Sequence, residues 1–221
     1  MYQVIGELLP LAVGISISPL PIIAMIVLLM SPHARTSTPA FALGWMVAIV
    51  AALLLFAYLS GLELGGNGRI AIIAHLLIGS ALLYLAYREW RARPKPGETG
   101  HLPHWLDAVQ NMGPLAAAGL GFGIYAANPK NLTVGAAAGV AFGSRPLPLE
   151  ETAIVLGVYL FVAASTVVIP VTCYFIAERR VRPWLDELRG WLTLHNAALM
   201  AVLLLVIGVL MIGKGIAALA N

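Results

Sequence analysis

Two short polar stretches interrupt long apolar segments of this chain, and both contain residue types that could bind a polar ligand. Ser18-Pro19-Leu20-Pro21 lies in the first apolar segment, and Asn128-Pro129-Lys130-Asn131 lies in the fourth. A proline lacks a backbone N–H and its ring clashes with the carbonyl four residues earlier, so each stretch is expected to break a helix. The hydroxyl, amides and ammonium around the two breaks could together hold an anionic group.

Lys130 is the strongest single indication of a ligand site. At the centre of a membrane helix a lysine costs about 2.5–3.5 kcal/mol on the insertion scale, so it needs a partner or a wet cavity. Twelve residues separate it from Phe142 at the end of its segment, and twelve helical residues span about 18 Å. The alternative is a lysine that extends to the membrane surface, and this distance is long for that. We therefore interpret the following residues as a substrate-binding site: Ser18, Pro19, Pro21, Asn128, Pro129, Lys130 and Asn131.

The composition predicts that these stretches lie inside a membrane. The chain has 221 residues, of which 60% are hydrophobic and 10% are charged, whereas a soluble domain carries about 25% charged residues. A bilayer core is about 30 Å thick and is crossed by roughly 20 apolar helical residues. Six segments qualify: 4–30, 39–62, 69–89, 108–142, 150–177 and 195–216. The predicted fold is an all-α integral membrane protein with six transmembrane helices.

The spacing of the two breaks predicts two related halves. Pro19 and Pro129 are 110 residues apart, as are Arg35 and Arg145, and this is half the chain. The predicted organisation is a three-helix repeat over 1–90, a cytoplasmic linker over 91–107 and a second three-helix repeat over 108–221. Because three is odd, the second repeat enters the membrane from the opposite side, as in many secondary transporters with a broken first helix in each repeat. The alternative is that prolines are common in membrane helices and that the matched intervals are chance.

The distribution of Lys and Arg predicts the orientation. With six spans, the loops after the first, third and fifth share one face and hold nine basic residues, against three on the other face. The positive-inside rule makes the richer face cytoplasmic and places both termini outside the plasma membrane. The same rule accounts for the net charge of +3, so no nucleic-acid partner is predicted. The one cysteine, Cys173, excludes an internal disulfide and is expected to be buried.

Other polar residues in the apolar segments are weaker candidates. These secondary candidates are His75, Ser165, Thr166, His195 and Asn196. Hydroxyls in membrane helices more often bond to neighbouring helices than to ligands. No metal site, cofactor or catalytic residue is predicted, and the phosphate-binding motif GxxxxGK[ST] of ATP-driven pumps is absent from the sequence. An enzyme is therefore the least favoured class of function.

Three stretches of the chain resemble a known family. ISPLPIIAMIVLLMSP at 17–32, ANPKNL at 127–132 and WLTLHNAALMAVLLLVIGVLMIGKGI at 191–216 are similar to the GAP family, also called the Sap or sulfolipid-1-addressing protein family. The resemblance covers essentially the whole chain. It implies a place among the LysE-like exporters, which have six helices in inverted repeats, and an actinobacterial plasma membrane. It also implies a link to moving glycolipids to the surface of mycobacteria, and a central role for Pro19, Pro21, Asn128, Pro129 and Lys130.

Three functions remain open from the sequence. The first is a transporter that exports or flips a lipid or glycolipid, with the central cation holding the headgroup. The second is an exporter of small polar solutes, such as an amino acid or ion. The third is an accessory scaffold of a larger lipid-export pump that transports nothing itself. Small residues allow close helix packing, within the chain or in a homodimer; they are Gly119, Gly121, Gly123, Gly135 and Gly139.

Overall fold

The computed structural model describes residues 1–61, 68–93, 108–143 and 147–219, and all regular structure in these ranges is helical. Seven helices are present there. They are α1 (Tyr2–Ser16), α2 (Pro19–Leu29), α3 (Ala34–Gly61), α4 (Gly68–Arg91), α5 (Pro114–Ala126), α6 (Pro129–Gly143) and α7 (Leu149–Leu219). Within α7, Ala177 has non-helical dihedral angles (φ −143°, ψ 50°). The predicted all-α class is confirmed.

Long apolar helices make this a membrane protein. Two helices in the described ranges are long and apolar enough to cross a bilayer, Ala34–Ser60 of α3 and Leu149–Ala217 of α7. The bent pair formed by α1 and α2 would be a third, with an angle of 55° between its two parts. The membrane class is thereby confirmed, while the count of six spans, their orientation and the inverted repeat stay predictions.

The predicted helix breaks occur where the prolines stand. Helix α1 ends at Ser16 and α2 begins at Pro19, while α5 ends at Ala126 and α6 begins at Pro129. Both prolines occupy the first position of a new helix, where a missing N–H has no consequence because that group would have no partner within the helix. Both boundaries of the first break, the end at Ser16 and the start at Pro19, recur 110 residues later.

The chain forms two compact units, each drawn from both predicted halves. The first unit combines Met1–Gly61 with His101–Thr193, and the second combines Leu62–Gly100 with Leu194–Asn221. A small core of the second unit contains Leu82, Ala86, Leu204 and Met211. The predicted repeats at 1–90 and 108–221 are defined by the matched spacing of the breaks, whereas the two units are defined by compactness. They and the linker at 91–107, which lies mostly outside the described residues, stay predictions.

Helix α2 is the most buried element of the first unit. Nine of its eleven residues are buried, and it packs against α3 and α5. Helix α1 packs against α6, and α3 packs against both α5 and α6. The two broken segments therefore lie against each other, and α3 holds the second one along its length. Cys173, expected to be buried, is exposed, because the outer surface of a membrane protein is as apolar as its interior.

Helices α3 and α5 approach so closely that only glycine fits at their contact. A Cβ added to Gly44 would overlap the carbonyl oxygen of Ala118, and one added to Gly121 would overlap the carbonyl oxygen of Phe41. On the same helix α5, a Cβ at Gly119 or Gly123 would meet nothing within 4 Å. Gly121 is thus used for packing inside the chain, as are Gly135 and Gly139 on α6.

We expect Gly121→Ala to destabilise the protein and Gly123→Ala to leave it unchanged or slightly more stable. The first methyl group forces α3 and α5 apart, and such overpacking costs about 1–3 kcal/mol. The second occupies open space on the same helix, where alanine is the better helix former. Thermal unfolding of the two purified proteins in detergent measures the difference. Equal midpoints for the two variants would contradict the close approach.

Candidate functional site

The first break leaves the end of α1 with backbone carbonyls that the helix itself cannot pair. Ile17 (φ −81°, ψ 68°) and Ser18 (φ −122°, ψ 105°) are non-helical and turn the chain into α2. Ser18 occupies the N-cap position of α2, but its side chain makes no capping bond there. Pro19 and Pro21 explain this, because they remove two of the N–H groups of the first turn that would need a cap. The Ser18 hydroxyl is therefore available for other partners.

Each of the last carbonyls of α1 finds a donor, and most of the donors come from elsewhere in the chain. The carbonyl of Ser16 accepts a bond of 2.7 Å from the Thr166 hydroxyl of α7. The Ser18 hydroxyl lies 2.8 Å from the carbonyl of Ile15. The carbonyls of Gly14 and Ile17 both accept bonds of 2.8 Å from the ammonium of Lys130. The break is thus completed by two other segments.

The second break is capped locally by Asn128. Its Oδ1 accepts a bond of 3.0 Å from the backbone N–H of Lys130, and its carbonyl accepts one of 3.0 Å from the N–H of Leu132. An asparagine at the N-cap bonds the second or third N–H of a helix in this way. Pro129 stands between them at the first helical position. The asparagine and proline therefore start α6 in the middle of an apolar segment and place Lys130 in its first turn.

The Lys130 side chain joins the two breaks. It has 0% of its surface exposed, so the alternative in which it extends to the membrane surface does not hold in this structure. Its ammonium has three N–H donors, and they meet three acceptors: the carbonyls of Gly14 and Ile17 and the hydroxyl of Ser18 at 2.7 Å. A cation is stabilised at a helix C-terminus because the helix dipole is negative there. The ammonium therefore acts as the cap of α1.

Ser18 is the second link between the breaks. Its Oγ accepts a bond from Lys130 and lies 3.1 Å from Oδ1 of Asn131. Since a hydroxyl has one proton, Ser18 donates either to the carbonyl of Ile15 or to Asn131 at any moment. Ser18 and Asn131 have 1% and 0% of their surfaces exposed. The contact is thus a closed polar cluster within an apolar core.

Lys130 gives the cluster a positive charge without a carboxylate beside it. Among the buried polar and charged residues of the described ranges, it is the one with a formal charge. Backbone carbonyl dipoles and one hydroxyl oppose that charge. The site can therefore accept an anionic group without first losing an ion pair.

The structure brings most of the predicted site residues together. Ser18, Asn128, Lys130 and Asn131 form the cluster, and Pro19 and Pro129 begin the helices that hold it. Pro21 is buried in the first turn of α2. Whether these residues bind a substrate stays a prediction. Sequence reasoning missed the carbonyls of Gly14 and Ile17, because a backbone acceptor leaves no signature in the residue types.

The secondary candidates divide between the two units. Thr166 joins the site through Ser16, whereas Ser165 bonds the carbonyl of Val162 in its own helix. His195 and Asn196 belong to the second unit, as does His75, whose side chain lies outside the described residues. In the described ranges no group of three His, Cys, Asp or Glu side chains could hold a metal ion.

Comparison with known proteins gives one family. The family model described as Sap, sulfolipid-1-addressing protein, matches residues 8–217. No curated protein and no solved structure matches the chain. The match includes both breaks and α3, α4 and α6, together with nearly all of α7.

We expect Asn128→Ala to destabilise the protein by about 0.5–2 kcal/mol, the usual effect of losing an N-cap side chain. Asn128→Ser is the matched control, because serine caps helices about as well as asparagine. Thermal unfolding in detergent measures both. If the alanine variant were as stable as the serine variant, the cap would not hold the start of α6.

Proposed function

The chain belongs to the Sap, sulfolipid-1-addressing protein family, and from this premise we propose that it exports or flips a lipid or glycolipid across the plasma membrane. The polar cluster at the two breaks is the proposed site of passage for the headgroup. The buried Lys130 carries this proposal, because its ammonium holds the two broken segments together through bonds to Gly14, Ile17 and Ser18.

The proposed mechanism is an exchange of acceptors at Lys130. In the described conformation all three N–H groups of its ammonium are used within the chain. For a headgroup to pass between the breaks, α1 must move away from α6, and the ammonium then loses its acceptors. An anionic headgroup supplies oxygen atoms in their place, so that the lysine is never left unpaired in an apolar interior. Substrate binding and separation of the breaks are thereby linked.

A cavity beside the C-terminal end of α2 supports an entrance for the headgroup. It has a volume of about 620 Å³ and lies beside the residues that follow α2. It is lined by Ser31, Pro32, Ala34, Arg35, Tyr174, Phe175 and Glu178. Arg35 is on the face that the Lys and Arg distribution predicts to be cytoplasmic. The lining contains one cation, Arg35, and one carboxylate, Glu178, and Arg35 is the group that would attract an anionic headgroup to be exported.

A surface groove beside the first break supports a lipid rather than a free solute. The groove lies between α3 and α7, and its lining includes Met46, Phe161, Ser165 and Ile169. Phe161 and Ile169 have 72% and 51% of their surfaces exposed. Thr166, which bonds the end of α1, directly follows Ser165. An acyl chain in this groove would keep to the bilayer while its headgroup reaches the cluster.

We expect Lys130→Ala to abolish export and Lys130→Arg to retain part of it, because only the arginine keeps a cation at the break. The measurement is the amount of lipid at the surface of cells that lack the native copy and carry each variant, with protein levels compared. Thr172→Ala is the matched control, since that hydroxyl bonds the carbonyl of Val168 in its own helix and lies outside the groove and the cluster. Normal export by both lysine variants would favour the accessory scaffold of a larger pump. Loss of amino-acid or ion export alone would favour the small-solute exporter.

The topology proposed for the plasma membrane has its own test. Met1 lies beside Glu151, with the terminal amine 3.3 Å from the carboxylate, which is consistent with both residues being on one face. We expect an impermeant protease to reach a tag before residue 1 from outside intact cells, and a cleavage site placed within 94–100 only from inside. Cleavage of both from the same side would overturn the predicted orientation.

A further inference from the structure

We propose that the first unit contains a binding site for an oxyanion of the sulfate or phosphate type, built from Tyr125, Tyr159 and Trp45 beside Asn131 and Lys130. The inference names the ligand class of the transporter proposed above and therefore rests on that function. It adds residues that neither the sequence motifs nor the family match identifies.

Four buried donors beside the breaks have no partner within the chain. They are the hydroxyls of Tyr125 and Tyr159, the indole N–H of Trp45 and Nδ2 of Asn131. Each of these residues has 1% or less of its surface exposed. Buried polar groups in folded proteins are nearly always hydrogen-bonded, and in a membrane interior an unpaired donor is costly. Several such donors in one place indicate a group that comes from outside the chain.

Contacts between their helices bring these donors together. The Tyr125 hydroxyl touches Gly135 so closely that a Cβ there would overlap it. Gly135 lies four residues after Asn131 on α6, and residues at this spacing share a helix face. The rings of Trp45 and Tyr125 meet edge to face, with centroids 5.4 Å apart. Tyr159 is buried on α7 seven residues before Thr166, and this spacing places both on the helix face whose Thr166 hydroxyl bonds the end of α1. Helices α3, α5, α6 and α7 each contribute one donor.

The chemistry of this set favours an anion over a cation. An indole N–H can only donate, and the Asn131 amide turns Oδ1 to Ser18 and leaves Nδ2 to donate. A metal cation would require carboxylate or carbonyl oxygens, and the buried residues of the described ranges include no carboxylate. The one formal charge among the buried residues of the described ranges is that of Lys130, which precedes Asn131 in the sequence. A tetrahedral oxyanion offers acceptors in several directions, which matches donors that arrive from four helices.

Gly135 keeps room for the Tyr125 hydroxyl in this set. A side chain at that position would displace the phenol. The site is also joined to the link between the breaks, because Asn131 is hydrogen-bonded to Ser18 and Ser18 to Lys130. An oxyanion held by the tyrosines would thus be adjacent to the ammonium that must exchange its acceptors.

The test compares anion binding by the full-length protein and by Tyr125→Phe and Tyr159→Phe. Sodium sulfate, sodium phosphate and sodium chloride are added at matched ionic strength, and the unfolding midpoint is followed by a thermal shift in detergent. We expect saturable stabilisation of the wild type by sulfate or phosphate, and about tenfold weaker binding by each phenylalanine variant, the usual effect of one lost hydrogen bond to a charged group. Tyr58→Phe is the control, since Tyr58 lies on α3 with 67% of its surface exposed.

A second readout separates this role from a structural one. If the two hydroxyls have no partner in the empty protein, Tyr125→Phe and Tyr159→Phe without added anion unfold at the wild-type temperature or above it. A lower midpoint without anion would assign the hydroxyls to structural bonds and overturn the site. Equal anion binding by the variants and the wild type would overturn it as well, as would stabilisation by chloride alone.

A third comparison separates a lipid headgroup from a free anion, and the site from the transport function. The protein is titrated with vesicles that contain a sulfated glycolipid, with vesicles of the same glycolipid without sulfate, and with free sulfate. Binding to the sulfated vesicles alone assigns a headgroup, and binding of free sulfate assigns a soluble anion; binding of neither overturns the site. If the wild type binds the anion but Lys130→Ala exports normally, the proposed transport mechanism fails while the site remains.

Discussion

The bonds of one ammonium determine how the first unit is built. A helix that ends inside an apolar core leaves carbonyls without partners, and a lysine in such a core is a charge without a counter-ion. Lys130 and the end of α1 remove both costs at once, because the carbonyls of Gly14 and Ile17 accept hydrogen bonds from two of its N–H groups. Neither the break in the first segment nor the lysine in the second would be tolerable without the other. The surrounding packing keeps them in contact.

The parts of this arrangement that follow from local chemistry could be predicted from the sequence. Pro19 and Pro129 begin new helices because a proline at the first helical position loses no hydrogen bond, and Lys130 is recognisable as a charge within an apolar segment. The acceptors of Lys130 could not be predicted, because backbone carbonyls carry no residue signature. Tyr159, which belongs to the proposed oxyanion site, lies within an unbroken apolar run that gives no signal of a site. Cys173 was wrongly expected to be buried, since hydrophobicity does not separate the interior from the lipid-facing surface.

The first unit has a polar site in its interior and an apolar groove on its surface, which is consistent with an amphipathic cargo. A closed polar cluster lies within the first unit, and an apolar groove with exposed Phe161 runs along its surface near Thr166. A lipid would place its headgroup in the polar cluster and an acyl chain in the apolar groove. Close contact of α3 with α5, made at Gly44 and Gly121, and of α3 with α6 limits movement of the second broken segment. The first segment is packed as well, with α1 on α6 and α2 on α3 and α5, so the proposed exchange at Lys130 requires α1 to leave its packing on α6 together with its hydrogen bonds.

The difference between the two breaks limits which pairs of segments can form this contact. At the offset of 110 residues, Leu20 occupies the place of Lys130, and Ser18 occupies the place of Asn128. The second broken segment therefore supplies the cation, and the first supplies its acceptors. Two copies of the first segment would contain no cation, and two copies of the second would bring two ammonium groups together in an apolar core. The contact with a single charge therefore depends on the difference between the two segments.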